Sequence, residues 1–240
     1  MSQPPDGRES PPAWKHGKVP ESVAPEVLTT ARLRLQPLAA ADVAEVHAIY
    51  ADLGTWLHLP AGRHTAIAQA ERMVDESEQS WAATGLGRWA IRLRKDLPGT
   101  GLAAGTLIGV ASATLLDCGA RNLGYRLTPA SWGVGLATEA AAVALAAAQA
   151  STYPVTARAL AGNPASVRVL ERIGLTLVWR GQGPAGRDAL GASPGSTAPR
   201  GVERDSAPAP GQPDTTVLER LIFADRPLAP ELLAAIIRLG

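Results

Sequence analysis

The chain has 240 residues, 46% of them hydrophobic, which suits a single globular domain with tails. Its 23 basic and 22 acidic residues leave a formal net charge of +1, and the basic residues are scattered, so no nucleic-acid-binding face is implied. Cys118 is the only cysteine, which excludes an intrachain disulfide, a cysteine-rich zinc site and a CxxC redox pair, and makes the cytoplasm the natural compartment.

Residues 1–27 are rich in Pro, Ser and charge and bury little, so they read as a disordered tail; Met1 to Pro25 holds no apolar core of the signal-peptide type. Order begins near Leu28. Arg32 to Gln36 alternates polar and apolar residues as a half-buried strand does, and Pro37 ends it. From Ala39 to Leu53, Val43, Val46, Ile49, Tyr50 and Leu53 recur at helical spacing. Ile67, Ala70, Val74, Ser77 and Trp81 do so in a second segment. The loop between these helices, Trp56 to His64, carries an aromatic ring and the imidazoles of His58 and His64, and is a candidate lining for a substrate pocket.

Arg88 to Arg94 and Leu107 to Leu116 read as a hairpin joined through Pro98-Gly99-Thr100-Gly101, with a strand from Asn122 to Leu127 next. Trp132-Gly133-Val134-Gly135-Leu136-Ala137-Thr138-Glu139-Ala140 follows, a glycine-punctuated turn that opens an alanine-rich helix. Glycine lets the backbone turn tightly, and the first N–H groups of a helix lack intrahelical partners at the positive end of its dipole, so this turn is an anion site suited to a diphosphate. The helix beyond it is too short and too weakly apolar to span a bilayer, and no other run reaches that length.

Val155 to Leu160 reads as a strand, Asn163-Pro164 as the start of a helix over Ala165 to Arg172 ended by Gly174, and Leu175 to Arg180 as a further strand. Residues 181–214 are dominated by Gly, Pro, Ala, Ser and charge and read as a flexible insertion within a hairpin, closed by a strand from Thr216 to Ala224. Pro230 opens a final amphipathic helix, which either packs on its own domain or pairs subunits, so both a monomer and a homodimer are open. The domain layout is therefore a tail over 1–27, one domain over 28–226 and a C-terminal helix over 227–240.

Three phosphate-binding readings compete for the glycine turn. A P-loop requires Gly-Lys-Ser/Thr, whereas Gly135 is followed by Leu136 and Ala137; a dinucleotide turn requires an acidic residue at the end of the next strand, and Val155 to Leu160 has none. The third is the pyrophosphate of CoA. Leu28 to Leu35, Asn122 to Pro129, Trp132 to Ala140 and Asn163 to Leu175 together resemble, in order and separation, the GNAT superfamily of acetyltransferases. The WGxGxATEA form with NxxS downstream resembles its RimJ/RimL-like branch.

That resemblance implies an α/β (α+β) fold: a mixed, mostly antiparallel twisted sheet of about seven strands flanked by helices and splayed between strands four and five. It implies acetyl-CoA as cosubstrate and no metal. The acceptor would be an amine, on a protein or peptide N-terminus or a small molecule, with neither nucleic acid nor membrane as partner. The cofactor contacts it implies are Tyr125, Arg126 and Leu127 on strand four, Trp132, Gly133, Val134, Gly135, Leu136, Ala137 and Thr138 in the turn, and Asn163 and Ser166. A backbone N–H near Tyr125 to Leu127 would contact the thioester carbonyl, and attack would be direct.

Asn163 is equally an ordinary N-cap, and Ser166 either a first-turn hydroxyl or a proton donor near the CoA sulfur. Glu139 is a base candidate, or simply a first-turn carboxylate favoured by the dipole. His58 and His64, with Trp56, are candidate acceptor contacts or bases, set against the ordinary solvated loop histidine. Many members carry a tyrosine acid seven residues after the Asn163 position; here that residue is Leu170. An acyl-CoA-binding sensor or interaction module without turnover is the alternative from a different class.

Overall fold

The computed structural model describes residues 27–183 and 218–239. The tail expected over 1–27 lies outside them apart from Val27, and the insertion expected over 181–214 apart from its first three residues. Those three residues are a correction: the strand there runs on through Gly183 rather than ending at Arg180, because its residues stay in register with the strand it pairs with.

Eight strands form one sheet: β1 (Leu28–Thr29), β2 (Leu33–Pro37), β3 (Arg88–Leu93), β4 (Leu107–Leu115), β5 (Arg121–Leu127), β6 (Val155–Leu160), β7 (Thr176–Gly183) and β8 (Leu218–Ala224). The spatial order is β1-β2-β3-β4-β5-β6-β8-β7, and every neighbouring pair is antiparallel except β5 with β6. The mixed, mostly antiparallel sheet flanked by helices is the expected class. The count exceeds seven because the first strand is broken: Thr30 donates its N–H to the Leu33 carbonyl (2.9 Å), and the chain folds back so that Leu28 pairs with Leu35. The strands expected to splay are consequently β5 and β6. Their pairing stops after Arg121↔Val155 and Asn122↔Thr156.

Helices cover both faces. On one lie α3 (Leu136–Gln149) and α4 (Pro164–Arg172). The alanines at 140, 141, 144 and 148 are fully buried, and their small side chains let α3 sit close over Leu123, Leu127, Ala157 and Phe223. On the other face α1 (Val43–Ala51) and α2 (Ala68–Thr84) bury Val46, Ile49, Met73 and Val74 against Leu38, Ala90 and Val110. The α5 helix (Pro230–Arg238) docks on the same chain, with Ile236 against Leu116, Ala120 and Ile222.

The expected first helix ends early. Asp52 leaves helical geometry and its carboxylate accepts the Gly54 N–H (2.8 Å), starting a short 3-10 turn over Leu53–Trp56 that leaves Leu53 exposed. Ile67 is likewise exposed at the start of α2 rather than on its buried stripe. In β4, Gly109 lies so close to β5 that a Cβ there would run into the Arg126 carbonyl and lie 2.9 Å from the Leu127 Cα.

Candidate active site

The parting of β5 and β6 creates the site. Arg121 donates its N–H to Pro154 on the β6 side, while Thr128 donates to Ile108 of β4. Backbone groups alternate between the two edges of a strand, so the N–H groups of Tyr125 and Leu127 point where Arg121's does, into the gap. The Leu127 carbonyl also faces it and accepts the Trp132 Nε1–H (2.9 Å), which holds the half-exposed indole at the mouth.

The glycine turn stands at that mouth. Gly133 and Gly135 have φ of 81° and 82°, the left-handed region that disfavours side chains, and Gly135 is the N-cap of α3. Glu139 makes the first intrahelical bond, N–H to the Gly135 carbonyl (3.1 Å), leaving the N–H groups before it free of helical partners. The turn is tied to the sheet from behind. Arg32 donates Nη1 to the Val134 carbonyl (2.8 Å) and Nε to Glu139 Oε2 (2.7 Å), and Glu139 Oε1 accepts from Thr30 Oγ1 (2.5 Å) and the Arg32 N–H (3.0 Å). Burial pushes the Glu139 carboxyl up, but the bonds from Thr30 and Arg32 outweigh it and hold the pKa below its usual value.

Across the gap α4 begins at Asn163, whose Oδ1 accepts the Ser166 N–H (3.2 Å) as an N-cap. Tyr125 reaches from β5 to the same turn. Its hydroxyl donates to the Ser166 carbonyl (3.1 Å) and lies 2.9 Å from Ser166 Oγ; burial pushes the phenol up to about 12, with the Ser166 contact pulling the other way. Leu170 is apolar and 1% exposed. The hydroxyls that the sequence does not supply at 170 are therefore brought to the gap by β5 and the first turn of α4.

These elements enclose a cavity of about 580 Å³, lined by residues from both sides of the sheet. Tyr125, Arg126, Leu127, Trp132, Gly133, Gly135 to Thr138, Asn163, Ser166 and His58 line it. Val134, Glu139, Trp56 and His64 do not. Trp56 is buried beneath the wall with Nε1 donating to the Tyr50 carbonyl (2.7 Å), and the His64 ring lies 4.8 Å from that of Tyr50. His64 is pushed down to about 4 by burial and by its neighbours His47, Arg126 and Arg72. Burial and then the charge of Arg126 also lower the His58 pKa, keeping that imidazole neutral near pH 7.

Five arginines, at 88, 126, 158, 168 and 172, line the cavity, and no Asp or Glu among the described residues does. Sequence reasoning missed that imbalance, and missed the clamp of Thr30 and Arg32. Strand alternation was the available signal: it puts Arg126 on the face opposite Tyr125 and Leu127, towards the early helices. Among the described residues no cluster of His, Cys, Asp and Glu is arranged to hold a metal ion, and no helix is long and apolar enough to cross a membrane.

The model of the acetyltransferase (GNAT) domain family matches residues 32–176. No curated protein matches the chain. Solved structures match along most of its length. A putative GNAT-family acetyltransferase from Bordetella pertussis is 20% identical, covering 84% of this chain and 99% of its own, with a TM-score of 0.56. An acetyltransferase from Agrobacterium tumefaciens str. C58 is 22% identical, covering 87% and 98%, with a TM-score of 0.55. The ribosomal L7/L12 alpha-N-protein acetyltransferase RimL, in complex with coenzyme A, is 15% identical, covering 83% and 97%, with a TM-score of 0.56.

Proposed function

The chain belongs to the acetyltransferase (GNAT) domain family, and on that membership we propose that it moves an acetyl group from acetyl-CoA directly to a primary amine. The observation that carries this reading is the β5–β6 gap, with two backbone N–H groups facing it and the unpaired N-terminus of α3 at its mouth. Gly133 to Thr138 would hold the pyrophosphate, since the turn offers backbone N–H donors and the helix dipole but no lysine. Pantetheine would pass between the strands beside Asn163 and Ser166. Acetyl-CoA supplies the activated thioester. The Tyr125 N–H is placed to stabilise the oxyanion that forms on its carbonyl.

Transfer to an amine also requires a base and an acid. His58 is the base in this reading, because it lines the cavity and its lowered pKa keeps it unprotonated at neutral pH. Ser166 is the acid that returns a proton to the departing thiolate, with the Tyr125 hydroxyl hydrogen-bonded behind it. Glu139 is engaged by Thr30 and Arg32 and serves the turn rather than the chemistry.

The WGxGxATEA turn, the NxxS segment and the RimL likeness support the RimJ/RimL-like branch, with a protein or peptide N-terminus or a small-molecule amine as acceptor. The cytoplasm is the expected setting. The buried, apolar Leu170 favours the rival reading of a binding module without turnover. Labelled acetyl-CoA incubated with a panel of amines, ribosomal N-terminal peptides included, tests both. Acetylated product with release of CoA is expected. Tight binding without turnover leaves the module, and failure to bind acetyl-CoA by calorimetry ends both readings.

A further inference from the structure

The guanidinium of Arg126 has no carboxylate partner among the described residues. Arg126 sits on β5 opposite Val110 of β4, with its side chain on the α1–α2 face of the sheet. Its guanidinium carbon lies 3.3 Å from the ring centroid of Trp56 and 5.5 Å from that of Tyr50, and Nη1 donates to the Thr55 carbonyl. Its remaining N–H groups make no hydrogen bond or ion pair among the described residues. A half-buried cation without a counter-charge is costly, and burial lowers its pKa to about 10 despite the nearby phenol of Tyr50. Arg88, in the same wall, is paired with Glu76 (3.3 Å).

Arg126 is also in a position to meet a ligand. It lines the cavity beside Thr55, Leu57 and His58, on the face away from the α3 turn, and one residue from the Tyr125 N–H that faces the gap. Stacking on Trp56 fixes the plane of the fork, while Nε and Nη2 keep donors for a planar or tetrahedral oxyanion. Trp56 is itself fixed by burial and by its bond to Tyr50. The wall is thus built to present a charge, and no carboxylate among the described residues pairs with it.

We propose that Arg126 recognises the acceptor, and that this acceptor is an amine carrying an oxyanion, a carboxylate or a phosphate, a few bonds from its nitrogen. The assignment rests on the acetyltransferase reading, because only then does the α1–α2 side of the gap receive an amine. Binding the oxyanion would pair the guanidinium and direct the amine towards the strand gap.

The test uses acceptor pairs in which one member carries the oxyanion and the other does not: β-alanine against β-alaninamide, O-phosphoethanolamine against ethanolamine, and the peptide amide Ser-Glu-Ala against Ser-Gln-Ala. At fixed acetyl-CoA the charged member of at least one pair should show a kcat/KM about tenfold or more above its neutral partner, the scale of a charge-assisted hydrogen bond. The pair that responds identifies carboxylate or phosphate. Arg126→Gln should bring the charged-to-neutral ratio towards one, and Arg126→Lys should retain part of it. A structural role alone would lower the melting temperature of Arg126→Gln and leave the ratio intact. Equal rates within every pair for the wild type, or a preference that survives in Arg126→Gln, would overturn the proposal.

If acetyl-CoA binds but no amine is acetylated, the enzyme reading fails separately. Calorimetric titration of the same probes into CoA-saturated protein then decides, with binding of the charged members alone expected and binding of neither member, or of both equally, refuting it.

Discussion

Glu139→Gln separates a structural carboxylate from a catalytic one. In the wild type the carboxylate accepts from Thr30 Oγ1, the Arg32 N–H and Arg32 Nε, with Nη2 2.6 Å away, and its side chain is 18% exposed against 44% for Arg32. Glutamine keeps the shape and one acceptor oxygen but loses the charge. Hydrogen bonds to charged groups contribute about 1.5–3 kcal/mol, and the exposure of Arg32 reduces that, so a loss of about 1–2 kcal/mol is expected, or a melting temperature lower by roughly 2–8 °C. Because Arg32 also holds the Val134 carbonyl, the slackened turn should raise the KM for acetyl-CoA about three- to tenfold while kcat moves less than about threefold. The pH dependence has a fixed sign. The folded pKa lies below the unfolded value of 4.5, so the contribution is fully present above about pH 4.5 and is lost as pH falls through the folded pKa; the stability gap between wild type and variant should close in acid. Thermal melts across pH and steady-state kinetics at varied acetyl-CoA measure both effects. A fall in kcat of about 10²–10⁴ with unchanged KM and melting temperature, the signature of a lost general base, would refute this account.

Gly109→Ala should destabilise the protein by about 2–4 kcal/mol in urea unfolding, because the added methyl meets β5 backbone rather than a side chain that can swing away. Ser166→Ala and Tyr125→Phe should each lower kcat about tenfold or more, with the double variant little worse than the slower single one, since the two hydroxyls are 2.9 Å apart and act as one unit; full additivity would show that they act separately. His58→Gln should slow transfer about 10²-fold and reduce the acid limb of the kcat/KM profile to the single slope left by protonation of the free amine. In the wild type the limb steepens below pH 6.5, because burial and Arg126 lower the imidazole pKa, and an unchanged profile in the variant would remove His58 as the base.

Local patterning carries far along this chain. β6 falls where apolar alternation puts it, over Val155–Leu160, and α4 begins at the Asn-Pro pair whose amide side chain does cap it. What local pattern cannot carry is pairing across distance. The break at Thr30 depends on a bond to Leu33 and on Glu139, more than a hundred positions away, which takes up both Thr30 and Arg32. The insertion of β8 between β6 and β7 is a pairing with both strands at once, and no residue in β8 announces it. The site divides in the same way. The glycine turn is legible because its conformation demands glycine at 133 and 135, whereas Arg126 is one arginine among many until the fold sets Trp56 beneath it.

The charge of the cavity constrains the reaction more tightly than any single residue in it. The cavity is lined by five arginines, of which Arg88 is paired with Glu76, and by no carboxylate among the described residues, so in the proposed transfer a neutral amine would enter more readily than an ammonium ion. An ordinary α-amine, with a pKa near 7.7–8.0, is roughly one-tenth neutral at pH 7, and a lysine ε-amine, near 10.4, only about one part in a few thousand. In the proposed transfer this difference would favour α-amines over lysine side chains without any contact that distinguishes the two. On the readings proposed above, both ends of the cavity would take anions: a diphosphate at the α3 turn, held by backbone N–H groups, and an oxyanion at Arg126, held by a guanidinium fork. A neutral amine between them would lie near His58 and the strand gap, beside an imidazole whose lowered pKa leaves it neutral and able to accept a proton.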